Sequence, residues 1–276
     1  MTLLRTFGVL SLVATYLCSA AAAQRAYLGF DRNDYPGDAN LATLRKTFSY
    51  TGYWLNNPPG ANANSWRGKR KTIQAAGFGF LVLFNGKTYA QIKHAGNPAS
   101  LGKSDGMAAA RAAKGEGFPA RAVIFVDQEE GGRMLPEQRA YLHAWIDAVT
   151  AAGFRAGIYC SGIAALEGNG KTVITAEDIR QNAGKRKLVY WVANDVCPPS
   201  PGCSIPAQAP APSQSGVGFA DIWQYAQSPR RPDFASACRN YNADSNCYPP
   251  GVAPSTGLHV DVNTATSTDP SGGRTP

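Results

Sequence analysis

The stretch AVIFVDQEEGGRMLPEQRAYLHAWIDAVTAAGFRAGIYC, residues 122–160, decides the fold. It opens with a run of β-branched and aromatic residues that ends on an acid, Asp127. From Pro136 to Ala152 the apolar spacing becomes helical: Leu142, Trp145, Ile146 and Val149 share one face, Pro136 suits a first turn, and Gly153 can close the last. A second apolar run, 155–160, follows at once. Strand, covering helix and strand in this order make the unit of a parallel sheet, because a parallel return needs a crossover.

The same alternation extends in both directions. Eight candidate strands are read at 27–31, 50–55, 79–84, 122–127, 155–160, 188–193, 220–225 and 258–262, with weaker helical stretches at 69–76, 104–115 and 175–182. Thr175-Ala-Glu-Asp178 has the pattern of a capping box at the start of the last helix. The expected fold class is α/β, a (β/α)8 barrel of the TIM type, whose usual size is about 250 residues. An open doubly wound sheet is the competing architecture. The last third is expected to be irregular, since 198–218 and 227–257 are long connections rich in Pro, Ser and Asn. Residues 24–263 form the barrel in this reading, and 264–276 a flexible C-terminal tail.

The first 23 residues carry a basic Arg5, an apolar run from Phe7 to Leu17 and small residues up to Ala23. This is the layout of a secretory signal peptide, and the apolar run is shorter than the roughly 20 residues that span a bilayer. The protein is therefore expected to be secreted, periplasmic or extracellular, with no membrane insertion of the mature chain. Five cysteines remain after residue 23. Their proximity in sequence predicts the disulfides Cys197–Cys203 and Cys238–Cys247, each stapling one long loop, with Cys160 left as a buried thiol. No spacing suits a zinc site, no His-Glu-x-x-His occurs, and neither a phosphate loop nor a calcium loop is complete, so no metal and no cofactor are expected.

The formal charge of +8 comes from scattered Lys and Arg, with clusters only at 67–71 and 185–187. Neither cluster is interleaved with aromatics as a nucleic-acid surface would be, and both read as solvated faces; no nucleic-acid partner is expected.

Barrel enzymes carry their chemistry at the carboxyl ends of the strands. Here those ends are acidic: Leu28-Gly-Phe-Asp31, Val126-Asp127-Gln-Glu129 and Val260-Asp261. Acids gathered at one mouth cannot all ionise freely, so one should hold its proton. A proton-donating carboxylic acid beside a carboxylate is what glycosidic cleavage requires. Aromatic faces would stack on sugar rings, and Tyr53, Trp54, Tyr159, Trp191, Trp223 and Tyr225 are the candidates, with Gln224 for hydroxyl groups.

Gly29-Phe-Asp31, Asp127-Gln-Glu129, Gly157-Ile-Tyr-Cys-Ser161, Trp191-Val-Ala193, Trp223-Gln-Tyr225 and Val260-Asp-Val-Asn263 together resemble the strand ends of glycoside hydrolase family 25 lysozymes and of a related glycoside-hydrolase-like domain family of unknown function. The resemblance implies a (β/α) barrel acting on peptidoglycan-type amino sugars, with Glu129 as proton donor and Asp127, Asp31 and Asp261 as supporting or nucleophile-equivalent acids. Arg32-Asn-Asp-Tyr-Pro-Gly37 and Glu130-Gly-Gly-Arg133 depart from the lysozyme pattern at the mouth. Two functions fit: a monomeric secreted glycosidase in which Asp127 or Asp31 is the second acid, and a carbohydrate-binding or cell-envelope protein that kept the barrel without turnover.

Overall fold

The computed structural model describes residues 25–233 and 237–275; the expected signal segment, 1–23, lies outside them. Eight strands close into a barrel: β1 (Tyr27–Asp31), β2 (Tyr50–Trp54), β3 (Gly79–Asn85), β4 (Val123–Asp127), β5 (Arg155–Ser161), β8 (Leu188–Ala193), β9 (Ile222–Ala226) and β10 (Asp261–Ala265). A small hairpin, β6 (Ala164–Leu166) and β7 (Thr172–Ile174), stands apart from it. The helices are α1 (Leu41–Arg45), α2 (Arg70–Ala75), α3 (Tyr89–His94), α4 (Pro98–Gly115), α5 (Pro136–Ala151) and α6 (Thr175–Asn182). Among the described residues no helix is long and apolar enough to cross a membrane.

Seven barrel strands are parallel, and β10 runs antiparallel to both of its neighbours, β1 and β9. The last strand therefore differs from the sequence expectation: it begins at Asp261, where 258–262 was expected to end. The reason is the connection. The long segment after β9 stays on the mouth side instead of crossing back as a helix, so the chain re-enters the sheet from the top. Asp261 still reaches the mouth, because the start of an antiparallel strand lies beside the ends of parallel ones.

Inward glycines make room for the barrel filling. A Cβ on Gly29 would fall 2.0 Å from the Tyr50 ring, and one on Gly52 would fall 2.8 Å from Cβ of Asp31. Alternation then sends Tyr53 outward, where it meets Trp66, Phe80 and Phe118 in the layer between strands and helices. The helices α4 and α5 approach closely because Gly102 and Gly106 face the backbone of Tyr141 and Trp145. Helix α6 spans the expected residues, but the capping box does not form: the Thr175 hydroxyl bonds to Gly132, accepting from its N–H at 2.8 Å and donating to its carbonyl at 2.9 Å.

The four expected cysteines are oxidised, with a different pairing. The bonds are Cys197–Cys238 and Cys203–Cys247, and Cys160 is a buried free thiol. Nearness in sequence misled because the two long loops follow neighbouring strands, β8 and β9, and lie against one another. Within 197–203, Ser200 accepts from Gly202 N and donates to the Tyr225 carbonyl, and the second bond ties the segment to β9.

The segment read as a flexible tail is docked. Residues 261–265 form β10, and the chain beyond fills the wedge between the starts of β3 and β4. Asp269 accepts from Phe80 N and Ser271 Oγ from Val82 N, each at 2.9 Å, while the Ser271 carbonyl accepts from Val123 N at 2.8 Å. Gly79 is required there, since a Cβ would fall 2.0 Å from the Thr268 carbonyl.

Two outcomes follow. Non-reducing peptide mapping should recover the 197–238 and 203–247 pairs; recovery of 197–203 would contradict the loop packing. Truncation after Thr266 should lower stability by several kcal/mol in denaturant titration, since each buried N–H left without its acceptor costs about 1–3 kcal/mol.

Candidate active site

Barrel register brings the acids together. Asp31 and Asp261 are direct partners across β1 and β10, and Asp127 ends β4 opposite Tyr159 of β5. Asp31 and Asp127 are each 6% exposed, Asp261 is half-buried, and Glu129, in the loop just beyond β4, is exposed at the mouth. The four expected acids lie at one rim, with Glu129 open to solvent, Asp261 partly so, and Asp31 and Asp127 buried.

A polar network fixes the floor. Asp31 Oδ1 accepts from Gln224 Nε2 at 2.9 Å and from Asn263 Nδ2 at 2.7 Å. Tyr159 OH donates to Gln224 Oε1 at 2.6 Å, and Gln227 Nε2 donates to both Gln224 Oε1 and Tyr159 OH at 2.9 Å. Trp191 Nε1 donates to Asn263 Oδ1 at 2.9 Å, which turns the Asn263 amide toward Asp31. Ser228 N donates to Asp261 Oδ1 at 2.6 Å. Asp127 Oδ1, in contrast, is buried with no hydrogen-bond partner among the described residues.

These surroundings set the protonation states. Burial pushes the Asp31 carboxyl up to about 6, against the opposing effect of the Asn263 and Gln224 amides, and Glu129 adds repulsion. Burial holds Asp127 well above the ordinary range, with Glu129 and Asp31 pushing in the same direction. Asp261 is raised by burial and then by Asp31. Glu129 is raised by partial loss of water in the recess despite its exposure. The cluster therefore keeps protons at pH values where free carboxylic acids have lost them.

Glu129 forms the wall between two recesses. One, about 370 Å³, is bounded by Tyr159, Ser161, Gln227 and Arg231 and by the base of the β6–β7 hairpin; the other, about 210 Å³, by Asn85, Lys87, Thr88 and Asp127. The segment Glu130 to Arg133, which does not match the lysozyme pattern, braces this wall. Glu130 accepts from Tyr89 N at 2.8 Å and Gln138 Nε2 at 2.7 Å, and Arg133 pairs with Glu167 of the hairpin and Asp178 of α6. The Arg32 to Gly37 segment is tied to the loop after β2: Asn33 Nδ2 donates to the Pro59 carbonyl and Trp66 Nε1 to the Asn33 carbonyl.

The aromatic candidates divide. Tyr159 lines the larger recess, and Trp191 lies beneath it as a support for Asn263. Trp54 is buried with its Nε1 on the Arg32 carbonyl. Tyr53 donates to Glu116 in the outer layer, while Trp223 and Tyr225 donate to the Asn194 and Ser204 carbonyls and hold loops. These last three are not brought to the cleft. Gln224 belongs to the buried floor and reaches the acids directly. Sequence reasoning missed Asn263, legible by alternation two residues after Asp261. It also missed Gln227 and Arg231, which lie in a loop without periodicity. Arg231 is held by the buried carboxylate of Asp195.

Comparison with known proteins gives a consistent result. The profile described as Rv2525c-like, glycoside hydrolase-like domain matches residues 48–197, which include Asp127 and Glu129. No curated protein shows a significant match. Among solved structures, an uncharacterized B. stearothermophilus protein is 20% identical with a TM-score of 0.52, covering 87% of this chain and 95% of that one. The spore cortex lytic enzyme SleM of Clostridium perfringens is 16% identical with a TM-score of 0.49, covering 88% of this chain and 68% of that one. The catalytic domain of endolysin ply40 from a Listeria monocytogenes bacteriophage is 16% identical with a TM-score of 0.47, covering 89% of this chain and 96% of that one. The first of these similarities shows the same fold.

The raised Asp31 pKa has a measurable consequence. The folded state binds this proton more tightly than the unfolded chain does. The resulting stability is complete below the ordinary value of about 3.9 and is lost as pH rises through about 6. Asp31→Asn keeps the acceptor oxygen and removes the buried charge. At pH 7 it should be more stable than the parent by up to about 3 kcal/mol in denaturant titration, and the gain should vanish below about pH 4. Equal stability at pH 7 would contradict the desolvation of this group.

Proposed function

The chain belongs to the Rv2525c-like, glycoside hydrolase-like domain family, and from that footing we propose that it is a secreted, monomeric glycosidase acting on peptidoglycan or a related amino-sugar glycan. The observation that carries this reading is the division of the four acids: Glu129, exposed and with a raised pKa, lines both recesses, while Asp31 and Asp127 are buried and Asp261 is half-buried. Export is supported by the N-terminal sequence and by two disulfides that cross-link the mouth loops.

A glycan chain laid across the mouth fills both recesses and brings one glycosidic oxygen to Glu129. Protonated Glu129 gives its proton to that oxygen as the bond to the anomeric carbon breaks, and the departing sugar leaves as an alcohol. Positive charge that develops on the remaining sugar favours ionisation of one buried acid, and the step ends when water bonds to the anomeric carbon and gives its proton to that carboxylate. Asp127, whose Oδ1 has no partner among the described residues, is the group available to a substrate N–H, to water or to the anomeric carbon. Asp31 is held still by two amide donors and acts as a fixed neighbour that sets the charge of the cluster. Tyr159 supplies an aromatic wall for a sugar ring in the larger recess.

The test is release of reducing ends from purified peptidoglycan and a panel of amino-sugar oligomers. Glu129→Gln should lower kcat by about 10²- to 10⁴-fold while glycan pull-down stays at the parent level. The parent's kcat/KM should fall on the alkaline side as Glu129 loses its proton, from a pH above the ordinary glutamate range. No release by the parent from any of these glycans, with equal pull-down by both proteins, would overturn the glycosidase reading in favour of a binding module.

A further inference from the structure

At the end of the barrel opposite the acids, the starts of three adjacent strands converge on a recess of about 870 Å³. Arg121 precedes β4, Arg155 opens β5, and Lys185, Arg186 and Lys187 precede β8. Register puts them side by side: Val123 pairs with Arg155, and Ala156 with Leu188. All five cations line the recess, and its one acid is Asp147, which is paired with Arg186 at 2.8 Å. Apart from the Arg186–Asp147 pair, four cations line the recess, and Asp221 just outside it interacts electrostatically with Arg155. Among the described residues Arg121, Arg155, Lys185 and Lys187 make no salt bridge, and all four are exposed.

Four like charges on one rim repel one another and weaken the fold, so packing alone does not account for them. The floor includes Phe154 and Ile146, both buried. Among the described residues the exposed large hydrophobics, Met107, Leu135 and Leu166, all lie outside the recess, whose lining offers nothing to insert into a bilayer and no exposed ring on which a nucleobase could stack. The space is too large, and its charge too high, for a single small anion to match. Guanidinium and ammonium groups around an open hollow suit repeated phosphate or carboxylate groups on a hydrophilic chain.

We propose that this recess binds a polyanionic glycopolymer, a sugar or polyol chain carrying phosphate or carboxylate groups. It would hold the protein on an anionic matrix with the acid mouth turned away from the attachment. This site is independent of whether Glu129 cleaves anything.

The experiment measures binding of the folded mature protein to poly(glycerol phosphate), polygalacturonate, neutral dextran, a single-stranded oligonucleotide and vesicles of equimolar phosphatidylglycerol and phosphatidylcholine. A triple variant, Arg155→Gln with Lys185→Gln and Lys187→Gln, is compared with a charge-matched control, Lys46→Gln with Lys103→Gln and Arg111→Gln, on other exposed surfaces. At least one anionic polymer should bind in a salt-sensitive manner, and the recess variant should weaken it on the order of tenfold while the control stays near the parent. Bound polymer should also protect Lys185 and Lys187 of the parent from acetylation, a readout that needs no variant. Equal weakening in the control would reduce the effect to net charge and overturn the site. Binding only to vesicles or to the oligonucleotide, or to no probe at all, would overturn the polymer assignment.

Discussion

Asp31 and Asp261 face each other in the register of β1 and β10, and Asp127 is close enough for Asp31 to repel it. Closure of the barrel forces this crowding, because the parallel strands end, and the antiparallel β10 begins, at the same rim. The result is a group of carboxyls taken from water faster than they are given partners, and the remaining features of the mouth can be understood as responses to it. Amide side chains from β9 and β10 take the Asp31 oxygen, and a loop N–H takes Asp261. Asp127 is left with an oxygen that has no partner among the described residues. A protein interior seldom keeps such an atom without a use, and this one sits beside the exposed acid.

The loops around the mouth are braced accordingly. Glu130 and Arg133 anchor the segment that carries Glu129 to α3, α5, α6 and the β6–β7 hairpin. On the other side two disulfides join the loops that follow β8 and β9, spanning 41 and 44 residues. In the chain-entropy view, closures of that length constrain the unfolded chain more than short staples would. They also place Gln227 and Arg231 against the cleft, although neither residue lies on a regular element.

Much of the barrel was legible in the sequence because its period is strong. The apolar runs at 27–31 and 188–193 coincide with β1 and β8, and 175–182 coincides with α6. The acid cluster was legible for the same reason, since an acid closing an apolar run stands at a rim. The failures share a cause, which is dependence on contacts distant in sequence. Cysteine pairing depended on two loops meeting. The direction of β10 depended on where the connection before it travelled. The docking of 266–275 depended on unpaired backbone groups at the starts of β3 and β4. Tyr53, Trp223 and Tyr225 stand at strand ends, which suggested the cleft, whereas alternation and loop contacts turn them away.

The most direct test of the central claim, a desolvated acid cluster that retains protons at the barrel mouth, is a carbon-13 carboxyl NMR titration of the folded protein with Asp31, Asp127, Glu129 and Asp261 assigned. The expected result is a midpoint of about 6 for Asp31, with Asp127, Glu129 and Asp261 all above the ordinary carboxyl range. Four independent titrations near the ordinary value of about 4 would contradict it.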